Sequence, residues 1–411
     1  MLAAKNKTVK NILFVISGTA GAQAIGLVFS PLITRLYGPE AFGNFGVFLT
    51  LVSIFVPMAT LSFNYAISLP KDNNKSLHLA LYTILLSGII SSMLLLSIFL
   101  LGHELSDLIG IDKDILFILP MTVFFSSLVS IFQQVKMRRE EFSLIAKTNF
   151  TYSLFNNLIK LGLGLIIPTP LMLVLSMNVS LLIHATLIKC KLPRYNKEVF
   201  RGNLHLISRY SDFAIYRTPQ ILINIFSQSM PVLFLSSYFG AVSVGYFTLS
   251  KMVLSIPISL VGKSVHDVMF PKMAEVRNSG RKIGNLVLKT TIILCVIGFL
   301  PFLAISLFSN YVFGFVFGAE WYDAGYYASW MSVWLYFALV NRVCVAAIPI
   351  LKLQKHFLIY EVFSLLMKLF SIFLTSYYSN NEIYAIAAFC ITSAISNLML
   401  MIFVIIKSKV T

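Results

Sequence analysis

Long apolar runs separated by short polar segments make up most of this chain. Twelve of these runs have the ~20 mostly apolar residues that a helix needs to cross a bilayer. Their predicted limits are 11–34, 43–69, 79–102, 115–135, 144–167, 169–189, 216–239, 243–270, 284–308, 325–350, 358–377 and 383–406. The runs lack the alternation of apolar and polar residues typical of membrane β-strands, so the pattern predicts an all-α polytopic membrane protein.

The composition strengthens this prediction. Of the 411 residues, 58% are apolar and only 12% are charged, and the mean hydropathy is +0.84. Soluble domains carry about 25% charged residues. The composition therefore excludes a soluble enzyme or a soluble binding protein.

The distribution of basic residues predicts the orientation of the helices. The net charge of +16 is better explained by basic cytoplasmic loops than by a nucleic-acid partner, which we do not expect. The segments assigned to one side of the membrane hold 22 lysines and arginines, whereas the other side holds Arg35 and Lys113. This bias predicts a multi-pass protein with both termini in the cytoplasm.

The basic start, MLAAKNKTVK, lacks a following cleavage site, so we expect a retained first helix.

Two similar turns indicate an internal duplication. Residues 37–45 read YGPEAFGNF and residues 239–247 read FGAVSVGYF, so both contain aromatic-Gly-x4-Gly-x-Phe at an offset of 202. The flanking helices carry prolines in similar places, and both second helices end in Pro-Lys, in LPK at 69–71 and FPK at 270–272. We therefore predict two pseudo-symmetric six-helix lobes, 1–195 and 196–411, related by an axis along the membrane normal. The alternative is that helix ends use similar turn residues without common descent.

Cations inside the predicted helices suggest a binding cavity. A lysine or arginine at the bilayer centre costs ~2.5–3.5 kcal/mol on insertion scales, so such residues need a function or a partner. No acid is expected at the depth of three of them, which predicts a wet cavity that receives an anion. The candidate anion-binding residues are Lys251, Arg342 and Lys368, followed by Arg35, Lys160, Arg217 and Lys263; the candidate polar cavity residues are Gln23, Asn64 and Ser255.

Several of these cations have a structural alternative. Lys263 is four residues from Asp267 and can pair with it on one helix face. Arg35 and Arg217 lie near helix ends, where long side chains snorkel to the interface. Asp267 and Glu361 are the intramembrane acids that we predict as candidates for ion coupling.

The sequence contains no motif of a known catalytic site. GxSxG, HExxH and P-loop patterns are absent. The four cysteines are far apart and outside CxxC or Cys/His clusters, so we expect no metal site. We accordingly expect a protein that is not an enzyme and that uses no cofactor.

Two segments carry a resemblance to a known family. They read SGTAGAQAIGLVFSPLITRLYGPEAFGNFGVF and ATLSFNYAISLPKDNNKSLHLA. The chain resembles the bacterial polysaccharide flippases, or O-antigen translocases, of the superfamily that includes the multidrug exporters and the lipid II flippases. The resemblance is strongest over residues 11–80, and it supports Arg35 because that residue lies within the first segment. The two further helices of related lipid II flippases are not expected here.

The resemblance implies a function that the cations would serve. It implies a two-lobed fold that moves a polyprenyl-diphosphate-linked oligosaccharide, by alternating access, from the cytoplasmic to the periplasmic leaflet of the bacterial inner membrane. Membrane lipid and other polysaccharide assembly proteins are the implied partners. One alternative is a small-molecule exporter of the same superfamily, although a cationic cavity would repel the organic cations that those proteins extrude. Another is a membrane polysaccharide polymerase or ligase, which would need a large periplasmic loop.

Overall fold

The computed structural model describes residues 2–190 and 205–410, and the side chains of residues 18, 20–190 and 206–409. All regular secondary structure in these residues is helical. The predicted lobe boundary at 195/196 lies outside the described residues.

The first half contains six long helices. A helical segment spans Leu2–Thr60 and is broken at Gly38, which gives α1 (2–37) and α2 (39–60). A short helix, Phe63–Ala66, follows α2. The remaining helices are α3 (Asn73–Ile109), α4 (Lys113–Arg138), α5 (Phe142–Ile166) and α6 (Pro170–Ile188).

The second half repeats this plan. After a short helix, His205–Arg209, α7 begins with a π-helical turn, Phe213–Arg217, and continues as Thr218–Tyr238. A break at Asn341 divides α10 into Ala324–Val340 and Arg342–Ala347. The other helices are α8 (Ala241–Asn278), α9 (Gly284–Phe317), α11 (Gln354–Tyr378) and α12 (Glu382–Val410).

The predicted number of twelve helices is confirmed. Ten helices of the described chain are long and apolar enough to cross a membrane. One of these, Ala20–Thr60, contains both α1 and α2 on either side of Gly38. The remaining helix, α5, is not one of these ten because polar residues such as Lys147, Asn149 and Lys160 lower its mean hydropathy. The chain is therefore a multi-pass membrane protein.

The chain forms two compact units, Met1–Phe226 and Ser227–Thr411, here called the N-terminal and C-terminal units. In the N-terminal unit, the α1–α2 segment packs against α5, and α4 packs against α3 and α6. In the C-terminal unit, α10 packs against α8, α9 and α12, while α11 packs chiefly against α12. The division falls within α7.

Backbone conformation supports the internal repeat. Gly38 (φ 67°, ψ 172°) and Gly240 (φ 85°, ψ 178°) have nearly the same dihedral angles at the predicted offset of 202. Side chains disfavour a positive φ, which explains why glycine occupies both turns. The turns after α4 and α10 also match, because Glu140 and Lys352 have φ values of 57° and 58°. These two turns open α5 and α11, which both have 25 residues.

Hydrogen bonds to α3 and α4 hold the loop between α2 and α3. Asp72 caps α3 by accepting a bond from the Asn74 N–H at 2.9 Å. The Arg138 guanidinium, at the end of α4, donates to the carbonyls of Ser68 and Lys71 at 3.0 and 3.2 Å. An arginine suits this position because its planar fork reaches several acceptors at once.

Candidate functional site

One candidate site lies one turn before a proline inside α7. Pro231 has no N–H to donate to the carbonyl of Ser227, four residues earlier, and its ring crowds that carbonyl. The Ser227 carbonyl therefore lacks the donor that any residue other than proline would supply at position 231. Such freed groups are tolerated in a membrane where they are buried in protein or line a cavity.

Two lysines donate hydrogen bonds to residues of α7 just before Pro231. Lys251 of α8 donates from Nζ to the Gln228 carbonyl at 2.9 Å. Lys368 of α11 donates from Nζ to Ser227 Oγ at 3.1 Å. The structure therefore brings Lys251 and Lys368, here called the lysine pair, to adjacent residues of one helix.

The lysine pair lies deep within its helices. Lys251 is ten residues after Ala241, where α8 begins, and Lys368 is ten residues before Tyr378, where α11 ends. At 1.5 Å per residue, each lysine is about 15 Å from its helix end, which is half of a ~30 Å hydrocarbon core. Both lysines are half-buried.

Neutral oxygens are the observed partners of the pair. Within the described part of the chain, neither lysine forms an ion pair with a carboxylate. Glu361, whose field reaches Lys368, is seven residues or about 10 Å earlier along α11. Two ammonium groups held by neutral acceptors retain donors and charge with which to bind an anion.

Arg342 packs against α8 at a position far from Lys251. The side chain of Arg342 packs against Gly262 of α8, where an added Cβ would lie 3.1 Å from both the Arg342 Cδ and Nε atoms. Gly262 is eleven residues beyond Lys251 on α8, or about 16 Å along the axis. Arg342 is exposed, and it therefore belongs to a different part of the C-terminal unit from the lysine pair.

The remaining candidates in α8 are mostly exposed. Asp267 Oδ1 lies 3.5 Å from His266 Nδ1, and the alternative in which Asp267 pairs with Lys263 is wrong for this structure. Lys263 and Asp267 are both exposed. Ser255 Oγ donates to the Met252 carbonyl at 3.1 Å within its own helix.

Lys160 is a half-buried cation of the N-terminal unit. Its Nζ lies 4.4 Å from the centre of the Phe45 ring, a distance at which the ring stabilises the ammonium. The Lys160 carbonyl accepts a 2.8 Å hydrogen bond from Tyr37 Oη. A Cβ added at Gly164 would lie 2.6 Å from the Tyr37 ring, so glycine permits this close approach of α1 and α5.

The other two candidate cations of this unit, Arg35 and Arg217, are exposed. Arg35 is exposed near the end of α1. Arg217 ends the π-helical turn of α7, donates to Gln220 Oε1 at 3.0 Å and lies 5.8 Å from the Tyr65 ring. Its contacts are those expected of a side chain at a helix end.

A polar cavity of about 450 Å³ opens among α1, α4, α5 and α6 of the N-terminal unit. The predicted residue Gln23 lines it, and Asn64 reaches one of its lining residues by donating to Ser130 Oγ at 2.8 Å. The other polar residues of its wall were not predicted as cavity residues, although glutamine, asparagine and histidine inside apolar runs are a signal of helix contacts or cavities. These residues include Gln133, Asn149, Tyr152 and His184.

A model of the polysaccharide biosynthesis protein family matches residues 32–326, which is more than half of the 411 residues. The chain belongs to the polysaccharide biosynthesis protein family. This confirms the family predicted from the sequence. The matched region of this family member includes Lys251 and ends before Lys368.

A relative of this family member occurs in Klebsiella pneumoniae. It is described as an uncharacterized membrane protein in the cps region, and it is 21% identical over 325 residues. The alignment covers 78% of this chain and 66% of the relative. The family member therefore spans slightly less than two thirds of that relative's length.

Solved structures share the fold of this family member. The lipid II flippase MurJ, in an inward closed conformation, superposes with a TM-score of 0.73 and 16% identity, covering 96% of this chain and 87% of MurJ. An inward-facing multidrug resistance MATE family transporter of the MOP superfamily gives a TM-score of 0.64 and 13% identity, covering 96% and 94%. At these identities the likeness shows the fold, and it confirms the predicted exporter fold of two six-helix halves.

Proposed function

We propose that this family member is a flippase for a polyprenyl-diphosphate-linked oligosaccharide, such as an O-antigen repeat unit. In this proposal it moves the glycolipid from the cytoplasmic to the periplasmic leaflet of the bacterial inner membrane by alternating access. The lobes of residues 1–195 and 196–411 and the cytoplasmic location of both termini are parts of the proposal. Family membership supports a role in polysaccharide synthesis.

The single observation that carries the proposal is the lysine pair. Its two ammonium groups lie about 15 Å from their helix ends and are held by neutral oxygens. A diphosphate brings several negative charges and many acceptor oxygens to such a site, and charge-assisted hydrogen bonds are about twice as strong as neutral ones. The apolar polyprenyl chain has no need to leave the bilayer during the movement.

The other candidate residues have secondary roles in this proposal. Arg342, Lys263 and Arg217 are exposed cations that would attract the anion on its way to or from the lysine pair. Glu361 is half-buried on the same helix as Lys368, whereas Asp267 is exposed beside His266. We therefore place Glu361 before Asp267 as a group that would couple transport to an ion gradient.

Reconstituted protein provides the test. Liposomes containing the purified protein receive a fluorescent polyprenyl-diphosphate oligosaccharide, and a membrane-impermeant quencher reports its movement between leaflets. A fluorescent organic cation is followed in parallel. We expect the glycolipid to move, the cation to stay, and Lys251→Ala with Lys368→Ala to stop the movement.

The controls separate the proposed function from its rivals. Lys289→Ala removes an exposed lysine of α9, outside the proposed site, and should leave movement intact. Movement of the cation without the glycolipid would identify a small-molecule exporter and refute the proposal. Hydrolysis or polymerisation of the glycolipid would point to an enzyme instead.

A further inference from the structure

The polar cavity of the N-terminal unit differs in chemistry from the lysine pair. Amide, hydroxyl and imidazole groups line its wall, and the described lining residues include neither a lysine or arginine nor a carboxylate. Gln133 Nε2 donates to Asn149 Oδ1 at 2.9 Å, and Ser153 Oγ donates to the Ala22 carbonyl at 2.7 Å. The amide groups thus stand on neighbouring helices with donors and acceptors side by side.

Two buried polar atoms, one in the cavity wall and one on a residue that is hydrogen-bonded to that wall, have no hydrogen-bond partner among the described residues. His184 is 3% exposed, and its Nε2 atom is one of them. The His184 ring stacks on Tyr152, with ring centres 5.0 Å apart, which fixes its orientation in the cavity wall. Asn64, which is 5% exposed, holds Ser130 through its amide nitrogen and leaves Oδ1 without a partner. Buried polar groups are nearly always satisfied by protein or by water, so an unsatisfied atom in a cavity wall indicates a polar occupant, either water or a polar ligand.

The size and charge of the cavity define the class of that ligand. About 450 Å³ is far more than the ~30 Å³ of a single water molecule and lies in the usual range of small-molecule sites. A phosphate would be bound by basic residues, and a metal ion by several histidine, cysteine or carboxylate ligands. The described lining residues contain no basic residue other than His184 and no such group of metal ligands. Neutral donors and acceptors in close array match the hydroxyl groups of a sugar.

We infer that this cavity binds the sugar part of the transported glycolipid and that it prefers neutral sugars to acidic ones. The inference rests on the proposed function, because it takes a lipid-linked oligosaccharide as the substrate. Gln133, Asn149 and His184 are the residues that hydrogen-bond the sugar hydroxyl groups. The polar cavity then supplies selectivity for the glycan, which differs between such lipids, and not for the diphosphate, which they share.

Binding measurements in lipid nanodiscs test this inference with three probes. These are polyprenyl diphosphate without sugar, the same lipid with a neutral disaccharide of hexose and N-acetylhexosamine, and the same lipid with a disaccharide that contains a uronic acid. We expect the neutral glycolipid to bind at least about tenfold more tightly than the other two, since one or two good hydrogen bonds supply such a factor.

Matched variants assign the selectivity to the cavity. Gln133→Met keeps the length of the side chain, removes both its polar groups and should abolish the preference for the neutral glycolipid. Gln134→Met changes the neighbouring residue, which lies outside the cavity wall, and should preserve the preference. Lys251→Ala should weaken all three probes by a similar factor. If Gln133→Met fails to fold, Ser126→Leu fills the cavity from a second lining residue and should have the same effect.

The outcomes distinguish a failure of the inference from a failure of the proposed function. Equal binding of all three probes, with each weakened by Lys251→Ala, would overturn the sugar site and leave the diphosphate site standing. Tighter binding of the uronic-acid lipid would overturn the preference for neutral sugars. Lack of binding by every probe would overturn the proposed function, and the inference with it.

Discussion

Each lysine of the lysine pair lies inside a membrane helix, where an uncompensated charge costs ~2.5–3.5 kcal/mol on insertion scales. The observed partners, the Gln228 carbonyl and Ser227 Oγ, reduce this cost without neutralising the charge. A carboxylate partner would have neutralised it and left little attraction for an anion. The arrangement is therefore better suited to binding an anion than to stabilising the fold.

The cations could be predicted from the sequence, but their grouping could not. An unpaired lysine in an apolar run is visible from residue type and position alone. Its partners come from helices that are distant in the sequence, so the contact of Lys368 with Ser227, 141 positions away, leaves no local signal. The same holds for Arg342, which was predicted to line one cavity with the two lysines and whose side chain packs against Gly262.

A double-mutant cycle tests the grouping of the cations. We expect Lys251→Ala and Lys368→Ala each to lower the initial flipping rate at least about tenfold, and the double variant to be little worse than the poorer single variant, because both lysines serve one site. Arg342→Ala should combine multiplicatively with Lys251→Ala, since residues more than ~10 Å apart usually act independently. Rates are measured in proteoliposomes at equal protein density.

Two results would contradict this grouping. Multiplicative effects of the two lysine substitutions would mean that each lysine acts alone. A strongly non-additive effect of Lys251→Ala with Arg342→Ala would mean that these residues share a site during transport.

At the scale of the elements, the apolar runs predicted the helices well because length and hydropathy dominate the cost of crossing a bilayer. The turns were predicted less accurately. A loop was expected between 34 and 43, whereas Gly38 alone separates α1 from α2. One residue suffices there because glycine adopts a positive φ without strain and Pro39, directly after it, suits the first position of a helix.

Pro231 of α7 provides a test at the scale of a single helix. Replacing Pro231 by alanine restores an N–H that can bond to the Ser227 carbonyl and straighten the helix. We expect Pro231→Ala to reduce the flipping rate several-fold, because the Lys251 ammonium then loses its alignment with the Gln228 carbonyl. Thermal stability should stay the same or rise, since proline inside a helix costs ~3 kcal/mol relative to alanine. Flipping assays and thermal unfolding in detergent measure the two effects.

Pro170 provides the matched control for this substitution. It occupies the first turn of α6, where a proline replaces no intrahelical hydrogen bond. Pro170→Ala should therefore change neither rate nor stability by much. A Pro231→Ala variant with the flipping rate of the unmodified protein would show that the bend is not needed for transport.

At the scale of the whole molecule, twelve helices and a one-sided distribution of basic residues make a joint prediction. An even number of helices places both termini on one side, and 22 basic residues against Arg35 and Lys113 select the cytoplasm. We expect a fluorescent protein fused after Thr411 to fold and fluoresce in bacterial cells, and alkaline phosphatase fused there to be inactive. Phosphatase inserted at Asp112, between α3 and α4, should be active, whereas at Glu140, between α4 and α5, it should be inactive. Active phosphatase after Thr411 together with inactive phosphatase at Asp112 would invert the orientation, and activity at both positions would mean that one of the twelve helices does not cross the membrane.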